Sequence, residues 1–195
     1  MRFIRTARTA TRFAALALIS TLALAGGAKA AEYRLDADRS KIMFSYVEDG
    51  TTQEGRFSAL TGSAVFDPAQ PQAADVELTI RADSIRLRDP VRTHFAQSID
   101  WFHAEAHPDF TFRLVGLERI DTNRFMARGQ IEIKGRVVDL AVELDILEEE
   151  GGLRARGVLN LDRQDYGLGI GFSSLFSRVG EQVQVAFDLY GAPKG

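Results

Sequence analysis

The sequence predicts an all-β domain of about eight antiparallel strands with one short helix. Three observations lead to this prediction. Apolar and polar residues alternate along most of the chain after residue 30, turn-forming residues separate the alternating segments, and helical spacing occurs in one stretch. Such alternation gives each strand one inward face and one face in water, as is typical of antiparallel sheets.

Four segments carry the clearest alternation and predict strands. Their inward residues are Val76, Leu78 and Ile80; Phe110, Phe112 and Leu114; Leu140, Val142, Leu144 and Ile146; and Val183, Val185, Phe187 and Leu189. Weaker alternation predicts further strands within 42–47, 56–66, 124–133 and 153–161. Turn residues at 121–123, 134–136 and 149–152 separate neighbouring segments and predict hairpins.

The stretch 89–102 differs from the rest and predicts the short helix. Asp89-Pro90 is typical of a helix start, and Val91, Phe95, Ile99 and Phe102 recur at helical spacing. The strands on either side can close into a barrel or fold into a sandwich, and closure removes exposed edges. An eight-stranded barrel encloses a lumen that its own side chains fill or that holds one small ligand.

The N-terminal thirty residues predict a cleavable secretory signal. Arg2, Arg5, Arg8 and Arg12 are followed by a small and apolar run over 13–25 and by Ala28-Lys29-Ala30. The apolar run is shorter than the roughly 20 residues of a membrane-spanning helix, although an uncleaved anchor is the alternative. We therefore expect a signal peptide at 1–30 and one domain at 31–195, working outside the cytoplasm.

Charge and cysteine content exclude several classes of function. The formal net charge of −3 becomes −8 once residues 1–30 are removed, because they hold five basic residues and no acidic ones. An acidic surface without a basic stripe disfavours nucleic-acid binding and docking on anionic lipid through a basic patch. The chain has no cysteine, so neither disulfides nor thiol chemistry is expected.

Two segments superficially resemble catalytic or metal-binding motifs. His103 and His107 flank Glu105 at a spacing that suits zinc on a helix, but the glutamate is misplaced for a metalloprotease and Pro108 disfavours helix there. We expect no metal, and a loop position for these histidines is the favoured interpretation. The glycine-rich 167–171 lacks the setting of a nucleotide-binding loop and predicts a lid or turn. No nucleophile elbow is present, so no catalytic residues are assigned.

A set of short sequence pieces extends in order over 33–189. The pieces are Tyr33-Arg34-Leu35-Asp36, Ser40-Lys41-Ile42-Met43-Phe44, Gly55-Arg56-Phe57, Gly62-Ser63-Ala64-Val65-Phe66-Asp67, Ile80-Arg81-Ala82-Asp83-Ser84-Ile85, Ser98-Ile99-Asp100-Trp101-Phe102, Pro108-Asp109-Phe110-Thr111-Phe112, Gly129-Gln130-Ile131-Glu132-Ile133-Lys134-Gly135 and Arg163-Gln164-Asp165-Tyr166-Gly167. Together, in their order and spacing, these pieces resemble the YceI-like family of bacterial periplasmic lipid-binding proteins. The sequence departs from the pattern where Arg39 and Glu48-Asp49 replace histidines common in relatives. These departures leave the ligand's polar end unassigned.

The resemblance implies a periplasmic, lipocalin-like antiparallel barrel, with the helix near one mouth, that binds a long isoprenoid, quinone-like or fatty acid-like lipid and is not an enzyme. Assigned by alternation and helix face, the expected lumen residues are Phe44, Tyr46, Val76, Leu78, Ile80, Phe95, Trp101, Phe102, Phe110, Phe112, Phe125, Ile131, Ile133, Leu140 and Val142. The basic candidates for a headgroup are Arg88, Arg92, His94 and Arg163.

Other functions stay open at this point. A core filled by the many aromatic residues would make the protein a stress-related periplasmic interaction protein without lipid cargo, and an enzyme is a more distant alternative. No cofactor is expected apart from an isoprenoid or quinone lipid as cargo. Transient membrane contact and a homodimer are both compatible with this interpretation, whereas a nucleic-acid partner is not expected.

Overall fold

The computed structural model describes residues 30–172 and 178–194. The predicted signal peptide, except for its last residue, lies outside these residues. Eleven strands and one α-helix follow in chain order: β1 Ala31–Leu35, β2 Lys41–Glu48, β3 Thr51–Phe57, β4 Leu60–Phe66, β5 Asp75–Arg81, β6 Ile85–Leu87, α1 Pro90–Ala96, β7 Asp109–Arg119, β8 Arg124–Ile133, β9 Arg136–Glu149, β10 Gly152–Asp162 and β11 Val179–Pro193.

The strands close into an eight-stranded antiparallel barrel. The ring runs β1-β4-β5-β7-β8-β9-β10-β11 and closes where Tyr33 to Leu35 of β1 pair with Gly191 to Pro193 of β11. Every pairing in the ring is antiparallel. The predicted all-β barrel with one short helix is therefore confirmed, and the sandwich is excluded.

The eleven strands form a barrel of only eight strands, because bends divide three of the barrel strands into two pieces each. β1 and β2, β3 and β4, and β5 and β6 are each consecutive pieces of one barrel strand. β11 continues past β1 to pair with β2, β2 pairs in turn with β3, and β3 pairs with β6. The first bend forms at Asp36, whose side chain accepts hydrogen bonds from the N–H groups of Asp38 and Arg39. Such local side-chain bonds compete with a strand ladder and interrupt it.

Three of the hairpins turn through two residues with positive φ. These pairs are Asp49-Gly50, Lys134-Gly135 and Glu150-Gly151, each with both φ values between 47° and 79°. Positive φ at both central positions matches the type I′ turn, whose twist suits a β-hairpin and favours glycine second. The predicted hairpins at 134–136 and 149–152 are confirmed, and Asp49-Gly50 forms a further one.

The helix is shorter than the predicted stretch 89–102. Asp89 caps it by accepting a hydrogen bond from the Val91 N–H, and α1 ends at Ala96. Tight turns follow, in which the N–H of Ser98 bonds to the carbonyl of Phe95 and that of Trp101 to the carbonyl of Ser98. These turns keep the helical spacing for a few residues without continuing the helix. No helix within 30–172 and 178–194 is long and apolar enough to cross a membrane.

The two ends of the barrel differ. At the end we call the closed end, the hairpins 119–124 and 149–152 surround a buried apolar cluster containing Phe66, Leu117, Phe125 and Leu153. At the other end, which we call the mouth, lie α1, the loop 97–108 and the turn that follows β10. This arrangement places the helix near the mouth.

Candidate ligand-binding cavity

A cavity of about 1010 Å³ occupies the barrel. Small-molecule sites usually measure roughly 300–1,000 Å³, so this one is at the upper end of that range. Its lining extends from Leu117 and Leu153 at the closed end to Val91 and Phe95 at the mouth. The lining side chains are predominantly aliphatic and aromatic, which suits a long apolar ligand.

Most of the expected lumen residues line this cavity. They are Phe44, Tyr46, Val76, Leu78, Ile80, Phe95, Trp101, Phe102, Phe110, Phe112, Ile131, Ile133, Leu140 and Val142. The inward residues of β11, Val183, Val185, Phe187 and Leu189, lie beside them. The alternation therefore placed these strand residues on the inner face.

Phe125 is an exception and is not among the lining residues. It is buried at the closed end, where its ring centroid lies 5.9 Å from that of Phe66 in an edge-on contact. The Arg119 guanidinium lies 4.6 Å from the Phe125 ring centroid on another side. Phe125 points inward, as expected, but it helps to plug the barrel floor instead of lining the lumen.

Glycines opposite aromatic residues leave room in the lumen. A Cβ atom on Gly55 would clash with the Phe44 ring, and one on Gly157 would lie 2.5 Å from the Phe187 ring. The rings therefore lie against bare backbone on the neighbouring strand, an arrangement known to support glycines in sheets. The Phe44 and Phe187 rings therefore lie flat along the barrel wall and leave the cavity unfilled.

Part of the mouth is covered by the loop 97–108 and the turn after β10. Trp101, Phe102 and Leu168 pack with the buried Phe110 in a second apolar cluster. The ring centroids of Phe102 and Phe110 are 4.9 Å apart. The cover extends over one side of the barrel and leaves α1 beside the opening.

Arg163 holds this cover together. Its guanidinium is buried, lies 5.7 Å from the Trp101 ring centroid and donates only to backbone carbonyls. These carbonyls belong to Leu168 at 2.5 Å, Gly169 at 3.3 Å, Val179 at 2.9 Å and Gly180 at 3.0 Å. No carboxylate pairs with Arg163 among the described residues. Arg163 also lines the cavity, so its positive charge borders a predominantly apolar interior.

An ion pair at the mouth also belongs to the lining. Arg92 Nε lies 2.8 Å from Glu48 Oε2, and the Glu48 side chain is only 12% exposed. Burial raises the pKa of the nearby Tyr46 phenol, the Glu48 charge raises it further, and the Arg92 charge opposes both. The pair joins α1 to the end of β2, directly at the opening.

The four headgroup candidates are not all at the cavity. Arg92, His94 and Arg163 line it. Arg88 does not, because its side chain is 88% exposed and lies 3.7 Å from Glu54. Arg39 lies over the Tyr190 ring at 3.4 Å and pairs with Glu150 near the closed end, away from the mouth.

The segments that resembled catalytic motifs form turns. His103 has a φ of 47° and does not lie in a helix, although its ring centroid is 5.7 Å from that of His107. No cluster of three or more potential metal ligands occurs in the part of the chain that the structure describes. The glycine-rich 167–171 is a turn in which Gly167 and Gly169 adopt positive φ.

Glu48 and Tyr166 are polar residues of the cavity wall that were not among the expected site residues. Glu48 lies two residues after Tyr46 on β2, so the alternation already placed it on the inner face. Tyr166 is buried in the cover, its hydroxyl has no hydrogen-bond partner among the described residues, and burial raises its pKa to about 12. No sequence signal distinguishes a buried tyrosine without a partner from an ordinary one.

Comparison with solved structures identifies the same fold in other bacteria. The crystal structure of BcnA from Burkholderia cenocepacia superposes with a TM-score of 0.75 at 26% identity, covering 80% of this chain and 98% of that one. A polyisoprenoid-binding domain from Saccharophagus degradans, implicated in plant cell wall breakdown, gives a TM-score of 0.67 at 17% identity over 85% and 100% of the two chains. The latter likeness shows the fold alone.

Sequence comparison points to the same group of proteins. A UPF0312 protein of Azotobacter vinelandii is 27% identical over 164 residues, covering 80% of this chain and 85% of that protein. A UPF0312 protein of Pseudomonas aeruginosa is 28% identical with the same coverage. The family model of the YceI-like domain matches residues 33–190, which is most of the chain. The protein therefore belongs to the YceI-like domain family.

Proposed function

We propose that this protein is a periplasmic carrier that holds one long apolar lipid in its barrel, with a polyisoprenoid, quinone-like or fatty acid-like chain as the cargo. The observation that carries the proposal is the apolar cavity of about 1010 Å³, which runs from a plugged floor to an open mouth. A closed floor and a partly covered mouth suit a linear ligand that enters end first. The cargo is a ligand and not a catalytic cofactor.

The lining determines how the lipid lies. Its chain contacts the apolar wall below, and its polar end lies at the mouth near Arg92, Glu48 and Tyr46. Arg163 adds a buried positive charge at the cover, and charged donors form strong hydrogen bonds to acceptors such as carbonyl or phosphate oxygens. A lipid with an oxygen-bearing end therefore suits the site better than a pure hydrocarbon.

Energetics favour exchange with membranes over capture from water. Burial of a chain from water is worth about 0.8 kcal/mol per CH₂, which for a polyprenyl tail would exceed the practical affinity ceiling of about −20 kcal/mol. The lipid instead leaves a bilayer, and its transfer from one apolar medium to another is nearly neutral. The cavity can therefore load and unload without a covalent step.

The comparisons support a binding role. The fold is that of a domain whose name records polyisoprenoid binding, and membership of the YceI-like family agrees with the implied periplasmic location. We propose binding and no enzymatic activity, because the residues that line the cavity are predominantly aliphatic and aromatic. The cavity also favours the carrier over the alternative of a filled barrel that binds only proteins.

Native mass spectrometry of the protein purified from the periplasm of its own cells tests the proposal. We expect a stoichiometric adduct that organic extraction identifies as a prenyl, quinone-like or acyl lipid. The control is the variant Leu78→Arg, which places a charge on the cavity wall and should lose the adduct. If the native protein is empty and also takes up neither a long-chain fatty acid nor a prenol on titration, the carrier function is wrong.

A further inference from the structure

We propose that the mouth of the barrel docks on the surface of a lipid bilayer through a ring of exposed apolar side chains, so that cargo moves between bilayer and lumen without crossing water. This inference rests on the carrier function proposed above and adds its partner surface. We call the ring the apolar rim. Its members are Val91, Phe95, Ile99, Ile170 and Phe172, which are 55–70% exposed.

The first part of the apolar rim belongs to α1 and the turn behind it. Val91 and Phe95 are four residues apart and so share one face of the helix. That face is exposed, whereas Ala96 at the end of α1 is buried. Ile99 follows in the next turn and is 67% exposed. A soluble helix normally turns its apolar face to the core, so this orientation needs a reason.

The second part lies on the turn after β10, beside the first. The N–H of Gly169 donates to the carbonyl of Asp100 at 2.8 Å, which brings the two loops together. Ile170 follows directly and, like Ile99, borders the same surface depression. The two loops therefore hold exposed apolar side chains close together, on either side of a depression that Lys134 and Arg136 also border. Each part of the apolar rim contributes one aromatic ring, Phe95 from α1 and Phe172 from the turn after β10.

The apolar rim is continuous with the cavity. Val91, Phe95, Ile99 and Phe172 line the cavity and are also exposed to solvent, so its apolar wall reaches the surface there. A lipid leaving the lumen would meet water at this point unless another apolar phase covered the opening. A bilayer is the partner that both covers the apolar rim and supplies the cargo.

The charges nearby identify the kind of contact. Arg92 is paired with Glu48, and Arg88 lies close to Glu54. Lys134 and Arg136 border the depression beside Ile99 and Ile170, and both donate hydrogen bonds to backbone carbonyls of the two loops. The formal net charge of the whole chain is −3, and residues 1–30 contain five basic residues and no acidic ones. Residues 31–195 therefore carry a net charge of −8. Docking therefore depends on insertion of apolar side chains and not on attraction to anionic lipid. It should occur on neutral phosphatidylcholine and persist at high ionic strength.

A second copy of this chain is a poorer occupant of the apolar rim. A stable protein interface uses roughly 20–30 residues on each side, many more than the five side chains of the rim. A partner copy seated on the mouth would also close the opening through which cargo must pass. The bilayer accounts for both the small size and the position of the patch.

The variant Ile170→Asp tests the inference, with Ile120→Asp as its matched control. Ile170 belongs to the apolar rim but does not line the cavity, and Ile120 is similarly exposed (51% against 59%) beside the hairpin at the closed end. Both variants place the same charge on the surface. Flotation with phosphatidylcholine vesicles measures docking, and titration with a fluorescent long-chain fatty acid measures cargo binding.

We expect Ile170→Asp to lower vesicle association roughly tenfold, because a carboxylate then replaces an isoleucine side chain that docking would bury in the bilayer. Ile120→Asp should float like the wild type, and both variants should bind the fatty acid with wild-type affinity. The inference is overturned if the wild type does not float, if the two variants float equally, or if high ionic strength releases the protein.

Two further results separate this inference from the carrier function. If the wild type is a dimer that Ile170→Asp dissociates, as measured by light scattering, the apolar rim is a protein interface and the inference is wrong while fatty-acid binding is intact. If the wild type takes up no fatty acid and carries no extractable lipid, the carrier function itself fails, and docking would then have no cargo to serve.

Discussion

The two ends of the barrel use the same kinds of apolar side chain for different purposes. At the closed end, Phe66 and Phe125 are buried and packed edge to ring. At the mouth, Phe95 and Phe172 are more than half exposed and contact solvent beside an open cavity. The hydrophobic effect stabilises the fold only where a side chain leaves water, so the buried rings of the closed end stabilise the fold and the exposed rings of the apolar rim do not.

This difference suggests a division of labour along the barrel axis. An apolar cavity lacks the packing contacts that a filled core would make. The closed end therefore has to supply packing stability that the cavity above it does not provide. The mouth has to present apolar surface to an incoming lipid. Substitutions at the two ends should therefore affect different measurements.

The largest expected difference comes from removing one aromatic ring at each end. Phe125→Ala should lower the free energy of unfolding by about 3–5 kcal/mol, because it opens a hole in the plug. Phe95→Ala should change it by about 0.5 kcal/mol or less, because the ring is already exposed. Urea denaturation of the ligand-free proteins measures both. Equal losses for the two variants would contradict the division between the ends.

The next largest effect concerns the cover of the mouth. Arg163→Met should cost about 3 kcal/mol, because it leaves several carbonyls of the turn and of β11 without a donor. Since Arg163 joins the turn of the cover to β11, release of a bound fatty acid should also become faster. Stopped-flow transfer to vesicles measures the release rate.

Arg163→Lys separates charge from geometry in that experiment. Lysine keeps the charge but lacks the planar fork that reaches carbonyls on both sides of the guanidinium. We expect it to release ligand nearly as fast as Arg163→Met does. Wild-type release from the lysine variant would show that the charge alone matters, and that the bonds to the cover do not hold it in place.

Sequence reasoning predicted the walls of the barrel well because strand periodicity is local. Val76, Leu78 and Ile80 alternate with polar residues, and a period of two allows only one inward face. The bends at Asp36 and the register shift between Leu114 and Gly116 were not predicted. Each depends on how a segment meets its neighbours, which alternation does not record.

The site was less predictable than the fold, because depth along the barrel is a long-range property. Alternation placed Phe125 on the inner face, but only the ring closure shows that this part of β8 forms the floor. The buried Arg163 guanidinium donates hydrogen bonds to carbonyls of residues up to seventeen positions away in the sequence, and the local pattern around Arg163 does not indicate these partners. Helical spacing suggested that Phe95 points inward, whereas α1 holds it at the rim, both lining the cavity and exposed.

A smaller effect is expected from Tyr166, which is as deeply buried as Phe125 but has an unpaired hydroxyl. Tyr166→Phe removes that polar group while keeping the ring, so it should stabilise the protein by about 1 kcal/mol at neutral pH. The matched change Tyr190→Phe removes a hydroxyl that donates to the carbonyl of Glu150, and it should destabilise the protein instead. Opposite signs in urea denaturation would confirm the contrast.

The same substitution should change the alkaline limit of stability. The folded-state pKa of Tyr166 is raised from an ordinary value of 10.0 to about 12, so the unfolded chain releases this proton first. The associated stability is fully present below pH 10 and is lost as the pH rises to 12. The free energy of unfolding of the Tyr166→Phe variant should therefore fall less steeply with pH across this window than that of the wild type. An unchanged slope would show that Tyr166 is not buried as neutral phenol.

The smallest effect tests the ion pair at the mouth. The Arg92 charge lowers the pKa of Tyr46, against the larger effects of burial and of Glu48, so Arg92→Met should raise that pKa further. The free energy of unfolding should fall by only about 1 kcal/mol or less, because the Arg92 side chain is 43% exposed and solvent screens the pair. Ultraviolet titration of tyrosinate, with Tyr46→Phe to identify the signal, measures the shift. A lowered pKa would mean that Glu48 turns away from Tyr46 once Arg92 is gone, and that the ion pair itself keeps this carboxylate at the opening.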